Sequence, residues 1–171
     1  MTDTTLQHEF DALEFNEKMI LALLALIGEP VGRTAILDLL KHARIENADG
    51  KRYTVLTLDD AMQKLDRLAF ISVVVGRGHV CNPKLRWPAM RAAIGTHALD
   101  DLCAAYMELV PLRQTWGGYE PRSYRAGMAL LRMGLLRGQA PQQLAPILAF
   151  CQNSYEAAQL HPIVEIFGRP F

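Results

Sequence analysis

A chain of 171 residues, half of them hydrophobic, has room for one full domain or two small ones and can bury a real core. Its 18 basic and 18 acidic residues cancel, which argues against a highly basic nucleic-acid coat and against an acidic disordered tail. The balance is not uniform, because residues 1–15 carry a net −4, residues 16–94 a net +4 and residues 95–171 none.

Residues 1–15 read as an acidic lead-in, partly ordered, from which Phe10, Leu13 and Phe15 could dock on the domain. Asn16 can cap a first firm helix, and the run from Lys18 to Ile27 is apolar nearly all round, as the central helix of a small domain would be. Gly28-Glu29-Pro30 stops it. A second helix is expected over Arg33 to Ala43, with Ile36, Leu37, Leu39 and Leu40 facing inward, and then a polar loop, Glu46 to Arg52. Tyr53 to Leu56 reads as a short β-like segment.

From Thr57 a third helix is expected. Leu58, Ala61, Met62, Leu65, Leu68 and Ala69 recur at helical spacing, with Asp59, Asp60, Gln63, Lys64, Asp66 and Arg67 on the other side. Thr57 is placed to cap it, and Asp59 and Asp60 suit the positive end of its dipole. After Phe70 the pattern turns β-branched, Ile71-Ser72-Val73-Val74-Val75, and Gly76-Arg77-Gly78 can turn the chain back through His79-Val80-Cys81.

Past Asn82 the chain reads as helical. A connecting helix is expected to begin at or near Pro88 and to end at Gly95, and a further helix to run from Ala98 to Leu112. Trp116-Gly117-Gly118 is a break, Ser123 to Leu136 another helix, and Pro141 to about Gln159 the last long one. His161-Pro162 opens a short apolar segment before Gly168-Arg169-Pro170-Phe171. Two antiparallel helix pairs are the simplest packing for residues 95–171. Their spacing is similar to that of tetratricopeptide repeats, without a repeat consensus. The ending on an aromatic suggests either the N-terminal part of a longer protein or a Phe171 that packs back.

The order helix, helix, short strand, helix, strand, glycine turn, strand resembles the winged-helix family of helix-turn-helix domains over roughly residues 16–94. The expected fold class is therefore mainly α with a small β-hairpin: a winged helix-turn-helix domain followed by an α-helical bundle. The resemblance implies a third helix that enters the DNA major groove and a wing that reaches the backbone or minor groove. On that basis Lys51, Arg52, Gln63, Lys64, Arg67, Arg77 and Lys84 are the candidate nucleic-acid contacts, with His79 beside them. Arg77, between two glycines at the hairpin tip, leads. Three acids against two bases on the third helix weigh against it, since affinity for duplex DNA rests largely on neutralising phosphates.

Arg122, Arg125 and Arg132 can share a helix face, read first as a solvated surface and second as a site for an acidic partner or a phosphate strand. Trp87 and Trp116 are expected to be buried anchors, and Tyr106, Tyr119, Tyr124 and Tyr155 likewise. Cys81, Cys103 and Cys151, far apart among apolar neighbours, read as reduced core thiols of a cytoplasmic protein. No close Cys or His pair has metal-ligand spacing, and no phosphate loop, dinucleotide fingerprint, nucleophile elbow or zinc-protease motif occurs. No metal, cofactor or catalysis is expected. The acidic N-terminus does not resemble a secretory signal, and the longest apolar run, Met19 to Ile27, is too short to span a bilayer. The expected function is duplex DNA binding of transcription-regulator type, with the helical tail used for homodimerisation or partner docking. The alternative is a protein-interaction module, in one version the front end of a larger DNA-handling ATPase.

Overall fold

The computed structural model describes residues 3–116 and 118–154. The expected segments at 155–171, Tyr155 among them, lie outside the described residues. The chain is mainly helical, with two small antiparallel hairpins. It divides into two compact units, residues 1–102 and 103–171.

In the first unit, helix α1 spans Asp3–Asp11 and buries Leu6 and Phe10, with Leu13 buried just past its end. The lead-in is therefore part of the fold, although Phe15 stays largely exposed. Helix α2, Phe15–Ile27, is the centre of the unit: every residue from Met19 to Ile27 is buried. Its start is set by Glu17, whose carboxylate accepts the Glu14 backbone N–H at 3.1 Å, rather than by Asn16. Gly28, at φ 72°, ends it in the left-handed conformation that glycine adopts freely. Helix α3, Arg33–His42, buries Ile36, Leu37, Leu39 and Leu40 as expected.

Helix α4 runs from Val55 to Arg67 and so begins earlier than Thr57. The cap is Thr54, whose hydroxyl accepts the Thr57 backbone N–H at 3.2 Å, while Thr57 Oγ1 accepts the Thr54 N–H at 2.9 Å. This reciprocal pair draws Val55 and Leu56 into the helix, and the expected β-like segment is not formed. The outer partner of the hairpin is Val31 instead.

Strands β1, Ile71–Val74, and β2, Gly78–Cys81, pair with Ile71 opposite Cys81 and Val74 opposite Gly78. On the far side of β2, His79 and Val31 exchange both backbone hydrogen bonds, at 2.8 and 2.9 Å. A single 3-10 turn, Pro83–Leu85, leads into helix α5, Arg86–Ala93, which packs along α2. Helix α6 covers His97–Leu109.

The second unit holds a hairpin where the sequence suggests only a break. Strands β3, Arg113–Thr115, and β4, Gly118–Glu120, pair with Arg113 opposite Glu120. Helix α7, Tyr124–Leu136, is capped by Ser123, and α8 spans Pro141–Asn153. Tyr124, Met128 and Leu131 of α7 form a core with Leu144 and Cys151 of α8. Among the described residues the unit thus contains the α7–α8 pair and a hairpin. Arg132 is buried, so it does not share an exposed face with Arg122 and Arg125.

All three cysteines are buried and free of disulfides. Burial pushes the Cys81 thiol from its ordinary 9.0 up to about 12, against a smaller opposing pull from the Arg86 charge. The folded chain therefore keeps a proton that the unfolded chain gives up above pH 9. The stability this contributes is complete below that pH and is lost as pH rises toward 12. Denaturant unfolding should show roughly 1 kcal/mol lost between about pH 9 and 10 from this group, and a level stability over that range would contradict the assignment.

Candidate functional site

The α4 helix, the β1–β2 hairpin and the segments next to them carry the residues singled out in the sequence, and the structure divides them into two groups. Lys51, Arg52, Gln63, Arg67 and Arg77 are exposed. The loop bearing Lys51 is fixed by Asn47, whose side-chain oxygen accepts the Lys51 and Asp49 backbone N–H groups at 3.0 Å each. Arg52 pairs through its backbone with Glu46. Arg77 lies in the hairpin turn, where its N–H donates to Val74 O at 2.9 Å. Arg67 Nε turns back onto the Gln63 carbonyl at 3.3 Å. Lys84 is exposed at the 3-10 turn beyond the hairpin.

Lys64 behaves differently. Its Nζ lies 2.7 Å from Glu17 Oε1 and donates to Oε2 at 2.8 Å. The Glu17 side chain is 8% exposed, against 45% for Lys64. A carboxylate so far from water requires a nearby cation, and α4 supplies it. The pair ties α2 to α4 across one wall of a groove of about 240 Å³, also lined by Asn47, Tyr53, Asp60 and Ala61. Tyr53 is buried there, and its hydroxyl accepts from Asn16 Nδ2 at 3.2 Å. Burial raises its pKa above the ordinary 10.0, partly offset by that bond, with the Glu17 charge adding to the rise.

A second ion pair crosses from α3. Arg33 Nη1 contacts both Asp59 oxygens, at 2.7 and 2.8 Å. The outward face of α4 is thereby left with Asp60, Gln63, Asp66 and Arg67. His79, expected beside Arg77, is half-buried, and its Nδ1 is shut off from solvent with no hydrogen-bond partner among the described residues. It does not belong to an exposed basic rim.

No family model, curated protein or solved structure matches the chain.

Large apolar side chains stand in solvent around the same elements. Leu56, at the start of α4, is 75% exposed, and Val73 and Val75 of the hairpin are 57% and 93% exposed. Sequence reasoning misses Leu56 because its neighbours read as a strand. Trp87 is substantially exposed and Trp116 wholly so, against the expectation of buried anchors, and Tyr119 is exposed beside Trp116 on the second hairpin. Tyr106 and Tyr124 are buried as expected. An open cavity of about 580 Å³ in the second unit is lined by Arg113, Tyr119, Tyr124, Phe150 and Asn153. Among the described residues no cluster of His, Cys, Asp or Glu is arranged to hold a metal, and no helix is long and apolar enough to cross a membrane.

Proposed function

We propose that residues 16–94 are a winged helix-turn-helix domain used to dock on protein, and that the chain is a non-enzymatic interaction module of the cytoplasm. The observation that carries this reading is the charge left on α4. Lys64 is committed to Glu17 and Arg33 to Asp59. What remains outward, Asp60 and Asp66 against Arg67, has no positive excess to set against closely spaced phosphates. Leu56 of the same helix and Val73 and Val75 of the hairpin are exposed, which suits a partner with apolar surface better than a duplex. The helical second unit would then serve as a further docking surface.

Duplex DNA binding of transcription-regulator type is the second reading, favoured by Arg77 at the tip of its glycine-framed turn with Lys51 and Arg52 also exposed. The two are separated by titrating a labelled random-sequence duplex at low and at physiological salt. A docking module binds weakly at low salt and loses even that as salt rises. Tight binding with a steep salt slope, reduced by Arg77→Ala, would overturn the docking reading and restore the DNA-binding one.

A further inference from the structure

The groove between α2 and α4 holds hydrogen-bonding groups that the fold leaves unused. Glu17, Asp49 and Asp60 line it against one cation, Lys64, a net of two negative charges. Glu17 and Lys64 satisfy each other, so the excess resides on Asp49 and Asp60. Neither of these two carboxylates has a partner among the described residues. Tyr53 gives an independent sign. It is 2% exposed, and its hydroxyl accepts from Asn16 Nδ2 at 3.2 Å while its own proton finds no acceptor among the described residues. Burial raises its pKa above the ordinary 10.0, so the proton stays and the hydroxyl remains a donor. A buried donor left unpaired costs free energy, which an acceptor on a bound ligand recovers. Asn16, with its amide nitrogen on Tyr53, keeps its carbonyl oxygen unused beside the same groove.

The unused groups thus call for a positive charge with three N–H donors and one acceptor beside them. We infer that the groove takes the free N-terminus of a partner protein, its α-ammonium on Asp49, Asp60 and the Asn16 carbonyl oxygen and its first peptide carbonyl on the Tyr53 hydroxyl. The inference rests on the docking reading and names the part of the partner that is held. Capture of a terminal amine is one of the recurring modes of peptide recognition.

Other ligands fit the same groups less well. A lysine ammonium brings three N–H donors but no carbonyl next to them, and leaves the Tyr53 proton unpaired. A free amino acid brings a carboxylate, which the negative groove repels and for which it has no uncommitted cation, since Lys64 is held by Glu17. The volume agrees: about 240 Å³, with Ala48 and Ala61 as small walls, lies below the roughly 300–1,000 Å³ of pockets for drug-sized ligands and suits a chain end. Asp60 also stands on the outward face of α4, so the groove is continuous with the docking face proposed above. A single terminus on a solvated rim binds weakly by itself. It adds to a partner already docked on α4.

The test is NMR titration of the whole chain, followed at the side-chain amides of Asn16 and Asn47, with three short peptide amides of glycine, alanine and serine. One has a free N-terminus, one is N-acetylated, and one is N-acetylated and carries an added lysine. The free terminus is expected to bind and to shift both signals. Acetylation, which removes the charge and two N–H donors, should weaken binding by about tenfold or more. Asp49→Asn and Asp60→Asn, both at exposed positions, should each weaken it by about three- to tenfold. Asp66→Asn, on the same helix but outside the groove, should leave it unchanged. Tyr53→Phe should weaken it as well, and the two exposed aspartates decide the matter should that variant unfold. No binding of the free terminus at about 10 mM, equal binding of the acetylated peptide, preference for the lysine peptide, or an equal loss in Asp66→Asn overturns the proposal. The random duplex is titrated alongside. A chain that ignores both peptide and duplex removes the N-terminus alone, whereas one that ignores the peptide and binds the duplex with a steep salt slope removes the docking reading with it.

Discussion

Gly78→Ala is expected to destabilise the protein by about 2–6 kcal/mol, the sum of ~1–3 kcal/mol of backbone strain and ~1–3 kcal/mol of overpacking. Gly78 holds φ 113°, which side-chain-bearing residues rarely adopt. A Cβ there would overlap the Val31 carbonyl and come within 2.7 Å of Gly32 N. Both obstacles are backbone, so no rotamer change relieves them. The Val31–His79 bonds are formed one residue away, and they join the hairpin to the chain between α2 and α3. Gly76→Ala is the control. Gly76 is also left-handed, at φ 72°, but a Cβ there meets nothing within 4 Å, so only about 1 kcal/mol is expected. Urea unfolding of the two variants separates close approach from backbone preference. Equal midpoints would mean that the hairpin is not held against Val31.

The parts of this fold that are legible in the sequence are those written in local pattern. The unbroken apolar run of α2, the inward face of α3 and the glycine turn between β1 and β2 each follow from residue type and spacing. The start of α4 is misplaced by pattern alone because two threonines three apart can both cap. Only the folded geometry makes Thr54 the cap and Thr57 its reciprocal partner. The β3–β4 hairpin is invisible in the sequence because its strands are three residues each and mostly polar, Arg-Gln-Thr and Gly-Tyr-Glu, with no alternation to read. Likewise nothing local announces that Val31, and not the segment before α4, pairs with the far side of β2.

The candidate site shows the same division. Helical spacing puts Lys64 on the polar side of α4 with Gln63 and Arg67, a placement compatible with phosphate contact. Its partner Glu17 lies 47 residues earlier, on a helix whose apolar character hides a charged residue near its start. The signal available is Glu17 itself: a lone acid followed by Lys18 and then an unbroken run of core residues demands a cation from elsewhere in the fold. Arg77, by contrast, is found in the turn where the sequence puts it, because a residue between two turn-forming glycines has few other places to go.

Lys64→Met should cost about 2 kcal/mol, below the roughly 3–5 kcal/mol typical of breaking a fully buried pair because Lys64 is itself nearly half exposed. The loss comes from stranding the Glu17 carboxylate, not from the methionine, whose volume suits the position. Glu17→Gln in the Lys64→Met background should therefore recover about half of the loss or more, since a neutral amide no longer needs the cation and its oxygen can still accept the Glu14 N–H. The single Glu17→Gln variant leaves an unpaired but partly solvated ammonium and should cost less than Lys64→Met. The two single variants and the double variant close a cycle whose coupling is favourable for the native pair. A Lys64→Met protein as stable as the wild type, but weaker on duplex DNA, would put Lys64 on phosphate. With Lys64 there, the charge argument against DNA binding by α4 would fall. Stability lost and regained through Glu17, with duplex binding unchanged, leaves Lys64 as the residue that fixes α4 against α2 and so sets the angle at which the α4 face meets a partner.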